Sequence, residues 1–79
     1  MKYVVYVLKS ERDQKRYIGV TGNIDRRLAE HERGKVKSTK QRRPLKLIHR
    51  EEFEKKEEAW AREKFLKTGK GREFLDSIE

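Results

Sequence analysis

Residues 3 to 8, YVVYVL, are the one place where six apolar or aromatic residues follow one another. Such a density of valine and tyrosine favours an extended strand. The run is too short for the apolar core of a secretory leader and far too short to cross a bilayer. The rest of the chain is polar, with 46% charged residues against 33% hydrophobic ones in 79 residues. One compact domain over residues 1–79 is expected, because a chain of this size buries only ~60% of its unfolded surface. Its small core gains from charged side chains that lay their aliphatic stems across it.

Residues 16 to 20, RYIGV, repeat the strand character after the polar run KSERDQK, which predicts a β-hairpin. If the hairpin is symmetric about that run, Tyr6 faces Tyr17 across the two strands, and opposed residues project from the same face. Thr21, Gly22 and Asn23 break the strand. Asn23 suits the N-cap of a helix from Ile24 to about Arg33, and Gly34 suits its end. Ile24, Arg27, Leu28 and His31 fall at i, i+3, i+4 and i+7, so an arginine and a histidine share the inward stripe.

Between Lys35 and Lys46 the chain carries six positive charges and no negative ones. This is expected to be a basic loop, with Lys35, Lys37, Lys40, Arg42, Arg43 and Lys46 available to phosphates. LKLI at 45 to 48 predicts a third strand that continues, more polar, toward Phe53. A helix beginning near Glu54 or Lys55 ends before Gly69 and Gly71, and the tail REFLDSIE has room for a short third helix. On the longer helix Ala59, Glu63 and Leu66 share a face with Trp60 beside them, while Glu58 and Arg62 are spaced for an i, i+4 pair. The order β-β-α-β-α(-α) describes an α+β domain with a small three-stranded antiparallel sheet.

The net charge of +8 points to a polyanionic partner, nucleic acid first. The chain has no cysteine, which excludes disulfides and thiolate metal sites and makes the cytoplasm the default compartment. Nothing in it suggests a membrane.

Tyr6, Tyr17, Arg27 and Glu63, with His31 a turn beyond Arg27, are semi-polar or charged groups expected to turn inward in a domain with little core. Burying ionised groups costs several kcal/mol each unless they are paired or bound to a ligand. A structural reading has the tyrosines packing as strand aromatics, Arg27 laying its stem over Leu28 and pairing with Glu63, and His31 as a satisfied buried histidine. A functional reading is phosphodiester hydrolysis. In it Glu63 holds one divalent cation, Arg27 clamps the phosphate, and a tyrosine with its pKa lowered by these cations takes a proton from the attacking water.

Val4-Val5-Tyr6, then Tyr17-Ile18-Gly19, then Thr21, Asn23, Arg27 and His31, and finally Glu63 in AREKFLK, resemble the GIY-YIG endonuclease superfamily. KSTK-x-RRP in the middle and REK-x-LKTG-x-GR near the end resemble its small single-domain bacterial members, and the similarity spans residues 1 to about 75. The resemblance implies a three-stranded sheet with packed helices, Tyr6 and Tyr17 as the two catalytic tyrosines, Arg27 on the phosphate, Glu63 on the metal, and Mg²⁺ or Mn²⁺ as cofactor. His31 matches a histidine that assists proton transfer or orients a tyrosine. Two positions depart from the family pattern. Val4 stands where the first motif opens with glycine, and no asparagine follows the Glu63 helix, Arg72 being one candidate to fill that role.

The expected function is a metal-dependent DNA endonuclease that reads substrate shape more than base sequence, with RNA, a protein partner or a homodimer left open. The alternative is a non-catalytic nucleic-acid-binding module that grips phosphates with the loop 35 to 46. Either Tyr6 or Tyr17 is a candidate for the general base.

Overall fold

The computed structural model describes residues 2–79. In chain order it contains β1 (Tyr3–Ser10), β2 (Arg16–Thr21), α1 (Ile24–Glu32), a 3₁₀ turn (Lys40–Arg42), β3 (Leu45–Phe53), α2 (Lys56–Leu66) and α3 (Gly69–Ile78). The sheet order is β2-β1-β3 with both pairings antiparallel, so the apolar run YVVYVL lies in the middle. Val4, Val5, Tyr6, Val7 and Leu8 are all buried. A strand covered on both faces has no reason to alternate apolar and polar residues, which accounts for the unbroken run.

Each face of the sheet carries its own core. Val5 and Val7 pack with Ala59 and Leu66 of α2 and Leu75 of α3, flanked by Ile18, Val20, Ile48, Phe53 and Phe74. Val4, Tyr6 and Leu8 on the other face pack with Ile24 of α1, flanked by Tyr17, Leu28, Leu45 and Leu47. The inward stripe predicted for α1 is observed, with Ile24 and His31 buried. The Asn23 side chain caps α1 by accepting a hydrogen bond of 3.1 Å from the Arg26 amide, and Gly34 takes the left-handed φ of 76° just beyond it.

The hairpin register differs from the symmetric one: Tyr6 pairs with Gly19, and Tyr17 pairs with Leu8. The turn is closed by Ser10 N–H donating to Lys15 O and Gln14 N–H donating to Ser10 O, both at 2.9 Å, which carries β1 further before the chain reverses. The resulting shift is two residues. Because side chains alternate with period two, it leaves Tyr6 and Tyr17 on the same face as diagonal neighbours.

β3 is more than twice the length of its apolar beginning and pairs with β1 as far as Phe53, with a register irregularity between Val7 and Leu8. Its polar half is held by side-chain partners. Arg62 of α2 donates to Glu51 from Nε at 2.9 Å and from Nη2 at 3.1 Å. His49 Nε2 lies 2.6 Å from the same carboxylate, and the Arg62 guanidinium covers the rings of Phe65 and Phe74. Arg62 thus reaches across to the sheet instead of pairing with Glu58 along its own helix. The tail helix is also longer than REFLDSIE, because Thr68 Oγ1 accepts from the Gly71 amide at 3.1 Å and starts α3 through the two glycines expected only to end α2.

Candidate active site

Tyr6 projects from the middle of β1 and is 1% exposed. Its hydroxyl lies 2.9 Å from His31 Nε2 and 3.4 Å from Arg27 Nε. The ring leans over β2, where a Cβ on Gly19 would sit 2.6 Å from the Tyr6 hydroxyl oxygen. Position 19 therefore accepts only glycine while Tyr6 stays where it is. Tyr17 stands beside the pair, its ring centroid 6.2 Å from that of Tyr6 and 5.1 Å from that of His31. It is half-buried, and it lies on the edge strand, where the site opens to solvent.

His31 is held from behind. Its Nδ1 lies 2.8 Å from the hydroxyl of Thr39, itself fully buried, and that hydroxyl reaches the Val36 carbonyl at 3.4 Å. With the Thr39 hydrogen on Val36 O, Thr39 accepts from Nδ1–H, which leaves Nε2 bare to accept from Tyr6. The Tyr6 oxygen then keeps its lone pairs for Arg27. One directional chain runs from Arg27 through Tyr6 and His31 to Thr39. Sequence reading missed Thr39. It lies in the Lys37–Lys40 segment, and nothing in the periodicity showed that this loop folds back under α1.

Burial pushes the Tyr6 pKa above its ordinary 10.0, and the bond from Arg27 only partly opposes this. Tyr6 is therefore a phenol here, contrary to the lowered tyrosine expected from the nearby cation. Burial, and secondarily the charge of Arg27, lowers His31 below its ordinary 6.5. Arg27 stays firmly protonated, favoured first by the Tyr6 oxygen and then, against burial, by Glu30, whose Oε1 is 3.1 Å from Nη1.

The depressed His31 value has a definite sign. Above about pH 6.5 the ring is neutral in both folded and unfolded chains, and its buried bonds are intact. As pH falls below about 6.5 toward the lowered folded value, the unfolded chain takes up a proton that the folded ring does not, so stability is lost on the acid side. Denaturant titrations from about pH 7.5 to about pH 5 should show a falling midpoint. The part of that fall due to His31 should be missing in His31→Gln, and parallel curves for the two proteins would remove the assignment.

Glu63 lies on the sheet-facing stripe of α2 between Ala59 and Leu66, and its side chain is 26% exposed. That stripe packs on the face of the sheet opposite Tyr6, so α2 does not close over the tyrosines as expected. Neither the Arg27–Glu63 ion pair nor any hydrogen bond from Glu63 to Tyr6, Tyr17 or His31 is present among the described residues. Its partner is Lys67, at 3.4 Å. Lys67, the partner of Glu63, and Tyr17 both line one cleft along the edge of β2. Among the described residues no three His, Asp or Glu side chains gather as a metal cage. A single partly exposed carboxylate suits a hydrated divalent ion that takes its other ligands from water and phosphate oxygens.

The basic loop divides in two. Lys35, Lys37, Lys40 and Lys46 are exposed and form no ion pair among the described residues. Arg43 instead donates to Lys40 O and Glu32 O, each at 3.0 Å. Arg42 is half-buried, with Nε 3.4 Å from Asp13 Oδ2 and Nη2 3.4 Å from Arg16 O. Both arginines serve to anchor the loop that carries Thr39. No helix is long and apolar enough to cross a membrane among the described residues.

Residues 2–74 match the GIY-YIG catalytic domain. The chain is 42% identical to a UPF0213 protein of Staphylococcus haemolyticus over 79 residues, covering 99% of this chain and 95% of that one. It is 43% identical over 67 residues to a UPF0213 protein of Natronomonas pharaonis, covering 84% and 78% of the two chains. Among solved structures it resembles the solution structure of a UPF0213 protein from Bacillus halodurans, with a TM-score of 0.62, 35% identity, and coverage of 100% of this chain and 86% of that one. The paired tyrosines on one face, the arginine and histidine bound to the first of them, and a match over nearly the whole chain together establish that this protein belongs to the GIY-YIG family of nucleases.

Proposed function

We propose that this chain is a metal-dependent endonuclease that hydrolyses DNA phosphodiester bonds and selects substrates by shape more than by base sequence. The observation that carries this reading is the buried Tyr6 hydroxyl, bonded to both Arg27 and His31, beside a half-exposed Tyr17. Two tyrosines, a histidine and an arginine in mutual contact exceed what packing this small core requires.

Tyr17 and Tyr6 divide the work by exposure. Tyr17 borders open solvent, so its hydroxyl is the one that reaches the attacking water and takes its proton. Tyr6 is sealed, and serves as the fixed post that positions Arg27 and His31. Arg27, with 36% of its side chain exposed, has guanidinium surface left to bind a non-bridging phosphate oxygen while Tyr6 and Glu30 hold it. Glu63 would hold a single Mg²⁺ or Mn²⁺, which when bound neutralises charge on the phosphate. The water oxygen forms the new bond to phosphorus as its proton passes to the Tyr17 oxygen, whose own hydroxyl proton leaves to solvent, the bond to the leaving deoxyribose oxygen breaks, and that oxygen takes up a proton from solvent. Shape selection follows from the exposed lysines of the loop 35 to 46, which contact phosphates but carry no base code.

The test is cleavage of end-labelled duplex, nicked, flapped, four-way and single-stranded DNAs, with an RNA strand alongside, at low salt with Mg²⁺ or Mn²⁺. Wild type should cut at least one DNA only with metal. Glu63→Gln should abolish metal-stimulated cutting and leave binding within a few fold. Wild-type rates in Glu63→Gln would remove Glu63 as the ligand. Binding without cleavage of any substrate would favour a non-catalytic module.

A further inference from the structure

Along the outer edge of β2, where it meets α2 and α3, runs a cleft lined by Lys9, Lys15, Arg16, Tyr17, Lys67 and Arg72. Five of its twelve lining residues are cations. Two carboxylates from α3 and its end lie in this cleft. Arg16 Nη2 is 2.5 Å from Asp76 Oδ1, and Arg16 Nε donates to Glu79 Oε2 at 2.7 Å. Lys9 Nζ meets Glu79 Oε1 at 2.5 Å. Lys9 and Arg16 hold the Glu79 carboxyl below the usual range, so it stays charged. Lys15 and Arg72 form no ion pair among the described residues.

A second cleft, with Lys46 in its wall, lies on the other side of Glu79, and Lys9, Gln14 and Glu79 line both. Glu79 thus borders both clefts, its carboxylate paired with Arg16 and Lys9. Together the two clefts place Arg72, Arg16, Lys9 and Lys46 along one continuous groove. The groove reaches Tyr17 at the edge of β2, and Lys67 in its wall is paired with Glu63, the candidate metal ligand.

We propose that this groove is the path of the nucleic-acid backbone into the active site, and that Asp76 and Glu79 stand in it as phosphate mimics which the substrate displaces. This inference rests on the nuclease reading and adds to it both a track for the strand and an internal competitor. A bound phosphate makes the same contacts with Arg16 and Lys9 that the Glu79 carboxylate makes now, since a guanidinium fork and an ammonium accept either anion. Displacement frees these cations, and each one that docks a phosphate releases condensed counterions.

The experiment measures binding of fluorescein-labelled single-stranded and duplex DNA by anisotropy, across a salt series, without metal. The proteins are wild type, Asp76→Asn/Glu79→Gln, Lys67→Ala/Arg72→Ala, and Glu57→Gln/Glu58→Gln. The last removes two negative charges from the first turn of α2 and controls for net charge alone. Thermal melts confirm that each variant is folded. Asp76→Asn/Glu79→Gln should bind about fivefold tighter than wild type at low salt, clearly more than the charge-matched control, with a steeper salt dependence. Lys67→Ala/Arg72→Ala should bind more weakly with a shallower one. If wild type binds but the Asp76/Glu79 variant gains no more than the control, the phosphate-mimic proposal is overturned while the nuclease reading stands. Failure of every protein to bind would overturn both.

Discussion

Replacing Arg27 with alanine is expected to lower DNA cleavage by about 10²–10³-fold, the loss typical of removing one preorganised donor at the site of developing charge. Arg27 is held twice, by the Tyr6 hydroxyl at 3.4 Å and by Glu30 at 3.1 Å, before any substrate arrives. Its geometry is therefore set in advance of the transition state, where the charge on the phosphate oxygens grows. Substrate binding should weaken much less than turnover, because the exposed lysines supply most of the attraction to the backbone. Lysine at this position should restore little activity, since it keeps the charge but lacks the fork that spans Tyr6, Glu30 and a phosphate together. Single-turnover rates beside anisotropy binding for Arg27→Ala and Arg27→Lys decide the matter. Undiminished cleavage in Arg27→Ala would return Arg27 to a packing role.

Gly71→Ala is expected to destabilise the protein by about 3 kcal/mol, the upper end of the usual cost of forcing an extra carbon into a packed site. The added Cβ would lie 2.2 Å from the Phe65 carbonyl oxygen and 2.4 Å from Leu66 Cα. These are backbone atoms of α2, and no rotamer change moves them away. The start of α3 would have to lift off α2, drawing with it Leu75, which is fully buried against Val5 and Val7. In a chain of this size each kcal/mol shifts the melting temperature by roughly 4–8 °C. Gly69→Ala is the control, because a Cβ there meets nothing within 4 Å and alanine favours the helix. The two melting temperatures should therefore separate widely. Equal values would show that α3 does not pack on α2 as described.

The two glycines look alike in the sequence, as GKG before a helical tail, yet only one is pinned. Chain-local reasoning treats both as helix breakers. Whether a Cβ has room at position 71 depends on how closely α3 crosses the end of α2, a distance between elements that no local pattern encodes. The same distinction runs through the site. Gly19 is readable as part of a motif, but the reason for it, the Tyr6 ring lying across β2, becomes visible only once the strands are paired.

The elements themselves were legible because local rules dominate them. The valine-rich run had to be a strand, Asn23 and Gly34 bracketed α1, and the 3.6-residue period put Arg27 and His31 on the stripe that turns toward Tyr6. Period two placed both tyrosines on one face despite a register two residues from the symmetric one. Long-range choices were decided by the tertiary structure. Both faces of the small sheet are covered, with α1 on one and α2 with α3 on the other, so Glu63 sits on the face away from the tyrosines instead of joining them across the core. Arg42 and Arg43, indistinguishable in sequence from the lysines around them, are tied to backbone carbonyls and to Asp13, and the loop they anchor delivers Thr39 to His31. Hydroxyl and guanidinium groups bond over a few ångströms to whatever the fold brings near. Their partners therefore follow from chain packing, whereas strand, helix and face follow from the order of residues.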